Sequence, residues 1–102
     1  MNEILFAPKD VFSLDPFGGK VKRLVINGEL QSGTLKKGMR AYIGGKEVTV
    51  IGIEIFKKGL SETMSWGEKA GVMVEPLTQE EYKAYIKQSK SESKEPSIIF
   101  YE

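Results

Sequence analysis

Apolar positions along this chain recur mostly at every second residue, the period of strands that turn one face to a core. Met39, Ala41 and Ile43 alternate with Arg40 and Tyr42, and Gly44-Gly45 then offers a two-residue hairpin turn. A longer strand is expected from Lys46 to Lys57, with Ile51, Ile53 and Ile55 on one side and Gly52, Glu54 and Phe56 on the other. Three isoleucines therefore face inward in this reading, while the acid and the ring face outward. Gly33 and Gly38 bracket Thr34-Leu35-Lys36-Lys37 and make 31 to 38 a turn region between strands.

Upstream, Glu3 to Ala7 is an apolar run stopped by Pro8, and Val11 to Leu14 is another stopped by Asp15-Pro16; both read as strands. Phe17-Gly18-Gly19 reads as a loop, followed by an apolar strand over Val21, Leu24, Val25 and Ile26 that runs into Asn27-Gly28. Downstream, Gly59 to Trp66 turns and makes a short strand, and Val72, Met73 and Val74 form another that ends at Pro76. Trp66, the one tryptophan, reads as partly buried core, with a ligand role as the alternative.

After Pro76 the period changes. Thr78-Gln79-Glu80-Glu81 is a capping box flanked by a Leu77 to Tyr82 hydrophobic staple, so a helix is expected over about 79–88. Tyr82, Tyr85 and Ile86 form its apolar stripe, suited to lean on a barrel wall or plug an end, or to bind a partner. Residues 89–96 read as a polar, mobile tether. The apolar segment 97–101 reads as a terminal strand that adds to a barrel edge, reaches a neighbouring molecule as a strand-mediated dimer, or replaces a contact from another domain.

The order of these pieces resembles a known family. An apolar strand, Gly28, Leu30, Gly33, Leu35, Gly38 and a strand are followed by VTVIGIEIFKK and then WGEKAGVMVE. This is similar to the second domain of elongation factor Tu and related translational GTPases, over roughly residues 10–75. Those domains carry a G-x-L-x-x-G turn, here Gly33 to Gly38, and a V-x-x-[IV]-E-x-x-[RK]-K strand, here Val50 to Lys58. The resemblance implies an all-β fold, a small closed antiparallel β-barrel with one short C-terminal helix, and places Gly28 inside a strand, where Asn-Gly alone reads as a hairpin turn. It also implies that Glu54 corresponds to a glutamate near the terminal adenine of aminoacyl-tRNA and Lys57 to an arginine there. Two departures stand out. Lysine is a point charge where the family has a planar fork, and the family's G-D-N-x-G corner is Gly67-Glu68-Lys69-Ala70-Gly71 here, without the asparagine that contacts the aminoacyl end.

Composition narrows the chemistry. With 102 residues and 40% hydrophobic, the chain is expected to be a single domain over 1–102, its core at about 3–76. Cysteine and histidine are both absent, which removes thiolate nucleophiles, disulfides and the commonest general base and metal ligand. No G-x-x-x-x-G-K-[ST] loop occurs, so no GTP binding by the chain itself is expected. No nucleophile is paired with a base at recognisable spacing; neither catalysis nor a cofactor or metal is implied. The start, MNEILFAPKD, has no basic segment followed by a long apolar core, and no apolar run reaches the ~18 residues of a membrane span, so a soluble cytoplasmic protein without membrane contact is expected.

Net charge is only +1, but its distribution is uneven. Lys20, Lys22, Arg23, Lys36, Lys37, Arg40, Lys46, Lys57 and Lys58 outweigh Glu29, Glu47 and Glu54 in the middle section, and acids dominate elsewhere. Such a face suits phosphate, although lysines also solvate and protect strand edges. The expected function is a noncatalytic module contacting RNA or a ribosome-associated protein, with Glu54, Phe56, Lys57, Lys58, Lys36, Lys37 and Lys69 as candidate binding residues. The alternative is a protein-interaction adaptor that uses the Phe56 surface or the C-terminal strand.

Overall fold

Residues Ile4–Ser13 run as one strand, β1, although Pro8 sits in its middle. The computed structural model describes residues 4–13, 23–91 and 97–102. Pro8 was expected to stop a strand. Instead the register slips between Pro8 and Asp10, leaving Lys9 as the extra residue of a bulge, where a missing N–H costs little. The Asp15-Pro16 stop, the Phe17-Gly18-Gly19 loop and residues 92–96 of the tether expected over 89–96 lie outside the described residues, and residues 89–91 are helical rather than tether.

Strand β2 (Leu24–Leu30) carries Gly28 within it, so Asn27-Gly28 is not a hairpin turn. A Cβ at Gly28 would run into the Ala7 carbonyl oxygen and come within 2.8 Å of the Phe6 ring. Glycine is therefore what lets the Phe6 ring fill the interior. Part of the region expected as a turn is a short strand, β3 (Thr34–Lys36). Strands β4 (Arg40–Ile43) and β5 (Lys46–Ile55) are joined by Gly44-Gly45 at φ of +61° and +81°, the left-handed pair that a tight hairpin needs. The chain continues through β6 (Gly59–Ser61), β7 (Thr63–Ser65), β8 (Lys69–Glu75), α1 (Gln79–Ser91) and β9 (Ile98–Tyr101).

Among the described residues, six strands close into an antiparallel barrel in the order β1, β2, β8, β5, β4, β9 and back to β1. Strand β9 bonds to β1 on one edge and to β4 on the other, which closes the ring. Both of its edges are thus occupied within the chain. The interior holds Phe6, Leu24, Ile26, Leu30, Ala41, Ile43, Val48, Ile53, Val72, Val74, Ile98 and Phe100, with Phe6 and Phe100 packed edge to face at 6.1 Å. The β3–β7 pair sends Leu35 and Met64 into the core at the end where β2 finishes and β8 begins.

The inward set on β5 differs from a simple alternation. Val48 and Val50 are buried, the register against β8 slips between Val50 and Gly52, and then Ile53 and Ile55 are buried. Ile51 occupies the slip and is only half-buried, contrary to the expectation of three inward isoleucines. A bulge inserts one residue and so inverts the parity of everything after it. Glu54 and Phe56 still face out, because the inversion precedes them.

Helix α1 covers the opposite end of the barrel, over the β4–β5 turn. The Glu81 carboxylate accepts the Thr78 N–H at 3.1 Å and the Thr78 hydroxyl accepts the Glu81 N–H at 3.1 Å, the reciprocal bonds of a capping box. Leu77 and Tyr82 are buried, and Tyr85 and Ile86 pack against the core, as the stripe requires. Lys46 bonds both Glu81 oxygens, and the Tyr85 hydroxyl donates to the Ser97 carbonyl at 3.2 Å, tying the helix to the strand that closes the ring. The helix runs to Ser91, one turn past the expected end.

Phe100→Ala should cost about 3–5 kcal/mol in a urea titration, since it opens a cavity and loosens the seam, whereas Lys58→Ala, at an exposed ion pair, should change stability by about 0–1 kcal/mol. Thr78→Ala should cost about 1 kcal/mol through the lost cap. The Lys46 ammonium, and after it the Thr78 N–H, hold the Glu81 carboxyl below the ordinary carboxylate range. Its stabilisation is full above the unfolded-state value and disappears as pH falls through the folded value, so the melting difference between wild type and Glu81→Gln should shrink below about pH 4.

Candidate functional site

The outer wall of β2, β8 and β5 carries a groove of about 840 Å³. Its floor follows from register. Asn27 pairs with Gly71, and Gly71 pairs with Glu54, so one outward rung reads Asn27, Gly71, Glu54 across three strands. The next rung reads Val25, Met73, Gly52. On the other side, the Phe56 N–H donates to the Lys69 carbonyl at 2.9 Å, which sets Phe56 beside Lys69 and Glu29. The central rung extends to Asp10 on β1 and Leu60 on β6.

Gly71 has no side chain, and the Asn27 and Val25 side chains lie over its backbone. A Cβ there would lie 2.9 Å from both the Asn27 Oδ1 and the Val25 Cγ1. The Asn27 amide thus lies against the Gly71 backbone and Glu54 stands on its other side, the two Cα atoms about 10 Å apart from two strand spacings. Val25 and Met73 supply an apolar side wall. Glu54 is exposed and, among the described residues, makes no ion pair.

One rim is aromatic and basic. Phe56 is 69% exposed and Leu60 83% exposed, large values for apolar side chains. The Lys57 ammonium sits 5.7 Å from the centre of the Phe56 ring. Lys57 holds φ at +70°, a left-handed conformation that strains a lysine, and it lies in the turn closed by the Lys58 N–H to the Ile55 carbonyl at 3.0 Å.

Of the residues expected to bind, the groove gathers Glu54, Phe56, Lys57 and Lys69. Lys58 points elsewhere, with its ammonium 3.2 Å from the Glu68 carboxylate. That carboxylate also accepts the Ser65 N–H at 2.7 Å, and this bond first, then Lys58, holds it below the ordinary carboxylate range. Lys36 and Lys37 are exposed on and after β3 and do not line the groove, so the basic middle section is not one continuous face. Trp66 is 75% exposed rather than partly buried: it occupies the turn between β7 and β8, beside Gly67 at φ +90°.

Reading the sequence alone did not select Asn27, Val25, Met73, Lys9, Asp10 or Leu60. Alternation along β8 marks Gly71 and Met73 as outward, but only pairing shows that Asn27 and Glu54 flank them. No protein-family model matches the chain. The fold and groove define a small closed antiparallel β-barrel with an open, partly apolar surface cleft. Among the described residues, no helix is long and apolar enough to cross a membrane.

Replacing Lys57 by glycine removes the left-handed strain of ~1–2 kcal/mol at an entropic cost of ~0.5–1 kcal/mol. Lys57→Gly should therefore raise stability by about 0.5–1 kcal/mol in chemical denaturation.

Proposed function

We propose that this barrel is a noncatalytic, cytoplasmic module that binds single-stranded RNA, alone or within a ribonucleoprotein, in the manner of the second domain of elongation factor Tu. The rung Asn27, Gly71, Glu54 carries this reading. An amide that lies against the Gly71 backbone and faces an exposed carboxylate across it suits a flat group whose edge both donates and accepts hydrogen bonds. An unstacked nucleobase is such a group. Glu54 accepts from an exocyclic amine, Asn27 can both donate and accept, and Met73 and Val25 cover a base face. Phe56 offers a stacking surface at the rim, and Lys57, Lys69 and Lys9 line the path of the phosphates. The placement of Glu54 and Lys57 in one groove accords with the roles that the family resemblance implies for them.

A second reading, a protein-interaction adaptor, draws support from the exposure of Phe56 and Leu60. Its other form, docking through the C-terminal strand, has less support because β9 has both edges paired.

Binding of a fluorescent single-stranded RNA should weaken steeply with salt. Phe56→Ala should lower affinity on the order of tenfold, through the loss of about 1–3 kcal/mol of stacking, and Lys57→Glu should lower it further. Affinity that both variants leave intact would refute the RNA reading. Capture from cell extract that yields the same protein partner with and without ribonuclease, and loses it in Phe56→Ala, would favour the adaptor.

A further inference from the structure

A second cavity, of about 540 Å³, separates helix α1 from β1. Resting on the RNA reading above, we propose that this cleft is a second subsite, which holds the sugar–phosphate chain of the same single strand whose base occupies the groove. Lys9 and Asp10 line both cavities, so the two adjoin across the β1 bulge. The bulge leaves Lys9 unpaired between Pro8 and Asp10, on the ridge that the strand would cross.

The charge of the cleft fits a polyanion. Lys83 and Lys87 stand one helical turn apart on α1, both exposed, and with Lys9 they set three cations against Asp10 in the lining. None of the three lysines forms an ion pair among the described residues. Glu80, three residues before Lys83, is the helix acid on that side, so the cleft and its edge hold three cations and two acids, while Glu81 is taken up by Lys46 and Thr78. Tyr82 and Ile86 form an apolar floor that suits ribose better than bulk water. Burial pushes the Tyr82 hydroxyl above the ordinary phenol range, so it stays protonated and adds no negative charge beside the cleft. An extended strand thus meets a base slot, then Lys9, then the α1 lysines.

The test compares labelled adenylate oligonucleotides of three and ten nucleotides, each titrated at several salt concentrations. In Lys83→Glu/Lys87→Glu, affinity for the ten-nucleotide strand should fall at least about tenfold and its logarithmic salt slope should drop by about 1.4, two phosphates' worth of counterion release. Binding of the three-nucleotide strand should stay unchanged, and Lys83→Gln/Lys87→Gln should show a smaller loss in the same direction. Circular dichroism melting confirms that each variant is folded. An unchanged ten-nucleotide affinity, or an equal loss for both lengths, overturns the second subsite while leaving the base slot standing. If the unaltered protein binds neither strand, both readings fall. Displacement of the long strand by decaglutamate at equal charge concentration overturns the subsite in favour of an acidic polypeptide.

Discussion

The structure depends on closure by β9, the last strand of the chain. An open five-stranded sheet of β1, β2, β8, β5 and β4 would leave two hydrogen-bonding edges and a half-covered interior. Strand β9 satisfies both edges at once, and its alternation puts Ile98 and Phe100 inside while Ile99 and Tyr101 stay outside. Phe100 meets the Phe6 ring, and the Phe6 ring in turn occupies space that only a glycine at position 28 leaves open. The outer side of the seam is tied as well. Tyr101 stacks on Tyr42 at 5.7 Å, lies under the Arg40 guanidinium and donates its hydroxyl to Glu47.

Closure also makes the groove. A closed barrel must curve, and here curvature coincides with two bulges, one at Lys9 on β1 and one at Ile51 on β5. The β5 bulge inverts side-chain parity so that Glu54 and Phe56 look outward over a wall whose interior is already filled. The β1 bulge lifts Lys9 onto the ridge between the groove and the helical cleft. Between them, Gly71 lets the Asn27 and Val25 side chains lie close on the β8 backbone. The chemically useful surface of this protein thus sits where the regular ladder is interrupted or a side chain is missing.

Elements governed by near neighbours were legible in the sequence. The Gly44-Gly45 turn, the capping box at Thr78 and Glu81 and the inward pattern of β4 each depend on residues a few positions apart, and each is present in the structure; the outward side of Phe56 matches the alternation too, but the bulge set by β8 decides it. Misreadings arose where a distant strand overruled a local signal. Pro8 does not end a strand, because β2 pairs on both sides of it. Ile51 is not core, because β8 sets the register around it. Trp66 is exposed, because it stands in the turn between β7 and β8 and not on an inward strand position.

By itself, then, the amino-acid order determined the alternating strands, the tight turn and the capped helix. These follow from the stereochemistry of short segments. Tertiary structure alone decided that Asn27, Gly71 and Glu54 form one rung, that Lys58 is spent on Glu68 and that Lys36 and Lys37 stand off the groove. Those outcomes turn on pairing between residues far apart in the chain. A side-chain period states which face a residue takes, but carries no information about which strand will lie beside it.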